Sequence, residues 1–346
     1  MADALKGIAY DKVCDWLASN AAGTLAPYHF DLIAAGGSNL TYKVMDSHGK
    51  FFILRRPPAG GQIATAHDMA REFRIMQALG GESCGVPVPE LLAYCADTDV
   101  TGAEFYCMQW VDGLILRDSN TAAAMTRAEC QAATESLVDV QIAFHTVDLE
   151  AIGLADLGKH TGYVERQLKR WKKQVEASKT RELTLLHELY ETLSATIPAE
   201  KNQPGLAHGD YRFDNTVLGA DHRIIAVLDW ELCTIGDPVA DFYWSMMYWS
   251  DPGDEVSFLP DPPTRAGHFM RRAEVAELYA SRSGFDLSNR DFYIAFSWWK
   301  SACIVEGVYA RMQKGAAGGM KTGSLEQVAN IVETYLEQSR AAAASL

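Results

Sequence analysis

Leu206-Ala207-His208-Gly209-Asp210-Tyr211-Arg212-Phe213-Asp214-Asn215, followed after a short apolar run by Val227-Leu228-Asp229-Trp230-Glu231, is the stretch around which the rest of this sequence organises. It sets one carboxylate, Asp210, five positions ahead of an amide, Asn215, and puts a second carboxylate, Asp229, 14 positions beyond that amide. Oxygen donors in this order suit phosphoryl transfer. A carboxylate must orient the attacking hydroxyl and take its proton, oxygen ligands must hold Mg2+ on the phosphates, and positive charge must meet the phosphate oxygens. Asp210 suits the first task, Asn215 and Asp229 the second, and Arg212 adds positive charge inside the loop. His208 reads as a structural histidine and Asp214 as a loop-stabilising residue. Just beyond, Pro238 suits a first helical position, which makes Asp237 an N-cap.

Outward from that stretch the two ends of the chain differ in character. Before it, helical spacing predicts helices over 4–18 and 65–79, the latter with Met69, Phe73, Met76 and Leu79 on one stripe. Strands are expected at Tyr42–Met45 and Phe51–Arg55 around a turn at Ser47-His48-Gly49, and again at Leu91–Cys95 and Glu104–Trp110. A small antiparallel sheet with a helix fits that order. From 121 onward helices dominate, over 121–146, 161–176, 180–195, 238–249, 265–283, 288–312 and 324–343, with short strands at Thr216–Leu218 and Ile224–Leu228. The expected division is a sheet-rich N-lobe, 1–111, and a helix-rich C-lobe, 112–346, that carries the Asp210 loop.

The bulk composition narrows the function classes. The chain has 346 residues, 48% of them hydrophobic, and eight tryptophans, enough for a large buried core. Its formal charge of −14 argues against nucleic-acid binding, which runs on Lys and Arg contacts to phosphate. Seven scattered cysteines form no C-x-x-C pair, so reduced thiols are expected rather than a zinc site or disulfide framework. No basic leader precedes an apolar run, and no apolar run reaches about 18 residues, the length that spans a bilayer. The expectation is a cytoplasmic protein without a membrane partner; oligomeric state is not legible.

LAHGDYRFDN followed by VLDWE resembles the aminoglycoside phosphotransferase and choline kinase superfamily, and within it the phosphotransferase domains related to those fused to acyl-CoA dehydrogenases. The resemblance covers nearly the whole chain. It implies an α+β, bilobal protein-kinase-like fold with a small antiparallel-sheet N-lobe and a larger, mostly helical C-lobe. It implies a small-molecule kinase that uses ATP and Mg2+, with Asp210 as catalytic base and Asn215 and Asp229 as metal ligands. Gly36-Gly37-Ser38-Asn39 matches the phosphate-covering turn, so Gly37, Ser38 and Asn39 are assigned to the nucleotide. Phe105–Val111 matches the strand whose backbone holds the base, through Gln109 and Trp110. One departure stands out: Phe51-Phe52-Ile53-Leu54-Arg55-Arg56 offers Arg where the family usually offers Lys to the α- and β-phosphates. Alternation puts Arg55 on the face of Phe51 and Ile53 and Arg56 on the other. The resemblance selects Arg55, whose position matches the family's Lys, and implies Glu72 as its partner. Arg binds phosphate in bidentate fashion, so the role is chemically tenable. Asp237 and Asp241 are expected to brace the catalytic loop.

For the acceptor, helical spacing aligns Lys300, Cys303, Gly307 and Arg311 on one face of the helix near 290–312. Lys300 and Arg311 favour an anionic acceptor, a hydroxy acid or hydroxyacyl compound. An aminoglycoside or amino alcohol would call for acidic residues there instead. Two other readings of the same residues are a nucleotide-binding pseudokinase, which the Arg at position 55 favours, and a metal-dependent phosphohydrolase built on His208, Asp210, Asp214 and Asp229. The N-lobe elements count against the hydrolase, which has no use for them.

Overall fold

A computed structural model describes residues 5–35, 39–58, 68–81, 84–315 and 323–346. Its strands are β1 (His29–Ala35), β2 (Leu40–Met45), β3 (Phe51–Arg56), β4 (Leu91–Cys95), β5 (Phe105–Gln109), β6 (Gly205–Ala207), β7 (Thr216–Leu218), β8 (Ile224–Val227) and β9 (Thr234–Gly236). Its helices are α1 (Tyr10–Asn20), α2 (Met69–Leu79), α3 (Ser119–Ala122), α4 (Arg127–Thr146), α5 (Tyr163–Ser178), α6 (Thr184–Ala195), α7 (Pro238–Ser245), α8 (Arg272–Ser283), α9 (Arg290–Gln313) and α10 (Leu325–Ala343). The fold is α+β and bilobal, with a small antiparallel-sheet N-lobe and a larger helical C-lobe. Among the described residues no helix is long and apolar enough to cross a membrane.

The first structural unit comprises Met1–Ile115, Glu150–Leu154 and Asp214–Cys233. Its sheet has the order β1-β2-β3-β5-β4, antiparallel throughout. Strand alternation divides the side chains between two faces. Leu40, Tyr42, Val44, Phe52, Leu54, Phe105 and Cys107 form one buried cluster with Val13 and Leu17 of α1. The opposite face carries Thr41, Lys43, Ile53, Arg55, Tyr106 and Met108, because Thr41 pairs with Arg55, Lys43 with Ile53, Arg55 with Tyr106 and Ile53 with Met108. Arg56 turns to the α1 side, where its Nη1 donates to the Thr101 carbonyl at 2.8 Å. Asp68 caps α2 by accepting from the Arg71 N–H at 2.8 Å. The β7–β8 hairpin joins this unit through a bridge between Leu114 and Leu218 and a bond from Val227 N–H to the Pro87 carbonyl at 2.8 Å.

The second unit comprises Leu116–Leu149, Ala155–Phe213 and Thr234–Leu346. Helix α9 is its axis, packed on α10, α5, α6 and α7. The short pair β6–β9 sets Leu206 opposite Ile235 and Ala207 opposite Thr234. The chain leaves β6 into the His208–Phe213 loop and leaves β9 into α7, so one pair of strands aligns both. Helix α8 begins at Arg272 rather than at 265: Pro263–Ala266 form a separate 3-10 turn, and Gly267, at φ 88°, ends it. Gly205 lies against α4 so closely that a Cβ there would fall 2.0 Å from the His145 carbonyl oxygen. Gly205→Ala is therefore expected to cost about 3 kcal/mol or more, read as a lowered urea midpoint, since the neighbour that must move is backbone.

Candidate active site

In the first unit, one guanidinium gathers the carboxylates. Arg55 is held on the sheet face opposite α1. Its Nε lies 3.3 Å from Glu72 Oε2 in the first turn of α2. Its Nη2 donates to Asp229 Oδ1 and lies 3.5 Å from Glu231 Oε2. Burial opposes the charge of Arg55, but Glu72, Tyr106, Asp229 and Glu231 outweigh it and hold its pKa above the ordinary value. Glu72 is 1% exposed, and burial raises its pKa against the pull of Arg55. Asn39 Nδ2 donates to Glu231 Oε2 at 2.8 Å, which ties the residue after the glycine turn to the 3-10 turn Trp230–Leu232.

Asp229 ends β8 in a left-handed conformation, φ 65° and ψ 60°, which Asp tolerates better than most residues. The Leu228 N–H donates to the Asn215 carbonyl at 2.8 Å, so the residue before Asp229 is tied directly to Asn215. The side chains of Asn215 and Asp229, an amide and a carboxylate, offer hard oxygen donors. Among the described residues no group of three or more His, Cys, Asp or Glu side chains is placed to hold a metal alone. Mg2+ typically takes one or two protein oxygens and fills its remaining positions with phosphate and water, so this donor set fits that ion. Gln109 and Trp110 lie at the end of β5; the Gln109 N–H is committed to the Glu90 carbonyl at 2.7 Å. Of the turn assigned to the nucleotide, Gly37 and Ser38 lie outside the described residues, and Asn39 is 5% exposed.

In the second unit, Asp241 of α7 grips the loop that carries Asp210. Its Oδ1 accepts from Gly209 N–H at 2.9 Å, and its Oδ2 accepts from His208 N–H at 3.1 Å. The same Oδ2 meets His145 Nε2 at 3.2 Å, and His145 Nδ1 meets the Tyr279 hydroxyl at 2.7 Å. Trp244 Nε1 donates to the Gly209 carbonyl at 2.8 Å, so Gly209 is held through both its N–H and its C=O. The Asp210 N–H donates to His208 Nδ1 at 3.3 Å. Burial would raise the Asp241 carboxyl, but the hydrogen bond and charge of His145, the His208 ring and the Gly209 N–H outweigh it and hold its pKa below the usual value. Asp237 caps α7, its Oδ1 accepting from Val239 N–H at 2.9 Å.

Arg212 Nε lies 3.3 Å from Asp210 Oδ1, and its guanidinium stands 5.1 Å from the Tyr248 ring centre. Lys300 is 7% exposed, its Nζ 3.6 Å from the centre of the Trp244 ring. Burial pushes its pKa down to about 8, with Arg170 acting in the same sense and Asp241 and Asp210 against. Arg311 is exposed in the last turn of α9, about 16 Å along the axis from Lys300, so the structure does not bring these two cations together. Sequence reasoning passed over Glu231, His145 and Tyr279. The signal for Glu231 was present, two positions after Asp229; the other two are linked to the loop only by the packing of α4 and α8.

A five-stranded antiparallel N-lobe with a helical C-lobe, and a loop of Asp210-x4-Asn215 answered by Asp229, define the class of small-molecule kinases. The phosphotransferase enzyme family matches residues 29–285. The chain belongs to this family, whose members move phosphate from ATP to a hydroxyl acceptor. Acyl-CoA dehydrogenase family member 11 of Homo sapiens is 34% identical over 295 residues, which cover 84% of this chain and 37% of that protein. Acyl-CoA dehydrogenase family member 10 of Mus musculus is 32% identical over 326 residues, 93% of this chain and 29% of that protein. The chain thus spans well under half the length of these relatives. A Ralstonia eutropha structure, named for the aminoglycoside phosphotransferases, is 31% identical with a TM-score of 0.80 and covers 96% of this chain and 97% of its own. The APH(4)-Ia ternary complex with AMP-PNP and hygromycin B has a TM-score of 0.62 at 13% identity over 94% of this chain and 98% of its own, a likeness of fold alone.

Asp241→Asn places an amide N–H or a weaker acceptor where two backbone donors and an imidazole converge. It is expected to cost about 3 kcal/mol at neutral pH, measured by chemical denaturation. The folded carboxyl titrates below its unfolded value, so its stabilisation is present above about pH 4 and is lost as pH falls through the folded pKa. The gap between wild type and variant should therefore close in acid.

Proposed function

We propose that this kinase phosphorylates a hydroxyl on an anionic small molecule, a hydroxy acid or hydroxyacyl compound. In this reading the first unit handles the phosphates of ATP: Arg55, held by Glu72, meets them, with Gly37, Ser38 and Asn39 covering them and Gln109 and Trp110 at the base. Asn215 and Asp229 would hold Mg2+, which supplies charge neutralisation on the phosphates when bound. The second unit handles the acceptor. Its hydroxyl oxygen forms the new bond to the γ-phosphorus, its proton passes to the Asp210 carboxylate, and the bond from phosphorus to the bridging oxygen breaks to release ADP. Arg212, 3.3 Å from Asp210, orients that carboxylate and adds positive charge beside it.

The observation that carries the acceptor class is Lys300. Its ammonium has no hydrogen bond or ion pair among the described residues; it rests on Trp244, whose indole N–H holds Gly209, the neighbour of Asp210. A buried ammonium without an anion is costly, and an acceptor carboxylate or phosphate would complete it. The names of the longer relatives, which speak of acyl-CoA, support an acyl acceptor. Arg311, far along α9, has no part in this reading.

ADP formation with Mg-ATP should require a hydroxylated anion from a panel that also holds amino alcohols and aminoglycosides. Asp210→Asn should lower it by about 10²- to 10⁴-fold. Lys300→Met should raise KM for the anionic acceptor by about tenfold or more while leaving a neutral acceptor little changed. Because the lysine loses its proton as pH rises through about 8, KM for the anion should climb over the same range in wild type and stay flat in the variant. Turnover confined to cationic acceptors would overturn the assignment.

A further inference from the structure

The face of the first unit's sheet that bears Arg55 carries a second cation. Lys43 of β2 lies opposite Ile53 in β3, one pair along from Thr41 and Arg55. Its side chain runs away from Arg55, toward the start of β3. There Nζ stands 4.0 Å from the centre of the Phe51 ring and 4.0 Å from the centre of the Trp110 ring. The register explains the meeting: Phe52 pairs with Gln109, so Phe51 and Trp110 are neighbours at the same end of the sheet. The Lys43 side chain makes no hydrogen bond or ion pair with any described residue. Among the described residues its ammonium is held by two aromatic rings.

This end of the face is also anchored below. After Trp110 the chain runs to Gly113 and Leu114, and Leu114 exchanges backbone hydrogen bonds with Leu218 at 2.9 and 2.8 Å. A Cβ on Gly113 would lie 2.4 Å from the Leu218 carbonyl oxygen, so only glycine allows that approach. Strand β7, which begins directly after Asn215, is thereby fixed to the segment that follows Trp110. Between the two cations the face is apolar, with Ile53 at 5% and Met108 at 8% exposure. From Phe51 to Arg55 is four residues, about 13 Å of strand. The strip therefore offers a guanidinium at one end, a flat apolar floor in the middle, and an ammonium clasped by two rings at the other.

We infer that Lys43, Phe51 and Trp110 form a clamp for the base end of the nucleotide, with Lys43 as a positioning and affinity-determining residue for ATP. The inference rests on the kinase reading above, in which Arg55 takes the phosphates. The charge matters through the rings: the ammonium draws Trp110 and Phe51 into a fixed wall, and its stem lies beside Ile53 on the strip that the base covers. A base laid there meets an aliphatic surface, a preordered indole edge and an ammonium able to donate a hydrogen bond. Phosphate contacts play no part, because Lys43 reaches away from Arg55.

The decisive comparison is between ligands that have a base and ligands that lack one. Dissociation constants for Mg-ADP and for magnesium pyrophosphate would be measured by calorimetry on wild type, Lys43→Met and Lys43→Ala, with folding checked by circular dichroism. Trp110 is followed by the difference in tryptophan fluorescence between wild type and Trp110→Phe. Lys43→Ala should weaken ADP about tenfold, Lys43→Met by less because it keeps the stem, and neither should change pyrophosphate. ADP should perturb the Trp110 emission in wild type, and less in Lys43→Ala. Equal weakening of ADP and pyrophosphate would assign Lys43 to the phosphates and overturn the inference, as would unchanged ADP affinity in both variants. If wild type bound neither ligand, the kinase reading itself would fall.

Discussion

A single guanidinium, that of Arg55, sets the arrangement of the carboxylates in the first unit. It faces Glu72 from α2, Asp229 from the end of β8 and Glu231 from the turn beyond, and Glu231 in turn holds Asn39. Three carboxylates around one cation leave an excess of negative charge in a mostly buried place. Such a cluster is stable only if further positive charge is within reach, because buried charge without compensation is expensive. In the proposed reading, Mg2+ held by Asn215 and Asp229 would supply charge of the required sign. The Arg found here in place of the family's usual Lys also has a geometric reason. A planar fork reaches several carboxylates in fixed directions, where an ammonium would act as a point charge.

The second unit solves the opposite problem. Its reactive loop must present Asp210 while its own backbone groups stay satisfied. Asp241 does this by accepting two successive N–H groups of the loop, and Trp244 does it by donating to the next carbonyl, that of Gly209. His145, itself bonded to the Tyr279 hydroxyl, then holds Asp241. Lys300 rests on Trp244, so the aromatic ring that steadies the loop also seats the cation assigned to the acceptor. Loop geometry and acceptor charge are thus linked through one indole.

Much of this was legible in the sequence, and the failures have physical causes. The order of elements and the Asp210, Asn215 and Asp229 pattern could be read because each depends on local spacing. Strand alternation put Arg55 and Arg56 on opposite faces, and the match to the family's Lys position picked Arg55. Strand β1 gave no alternation to read: it is an edge strand with only Phe30 buried. The start of α8 was misplaced because 3-10 and α-helical turns share short-range spacing until Gly267 intervenes. Lys300 and Arg311 share a helical stripe, yet their separation of 11 positions puts them about three turns apart, and what covers each end of the helix is set by tertiary packing: one is buried and the other exposed. Glu231 and Lys43 acquire meaning only through partners brought close by the fold; Asn39 and Glu231 are 192 positions apart.

The β7–β8 hairpin belongs to the first unit although the chain reaches it only after passing through much of the second. A ribosome that has released residues 1–115 has delivered the sheet but not the strand that bonds to Leu114, nor Asp229 for Arg55. Until then Arg55 has Glu72 as a partner but not the other two carboxylates. The N-lobe is therefore a long-loop closure rather than an early, self-sufficient module, with an entropic cost deferred until residues 214–233 emerge. Its completion waits on the synthesis of residues 116–213, and the full set of carboxylates around Arg55 is present only once Glu231 has emerged.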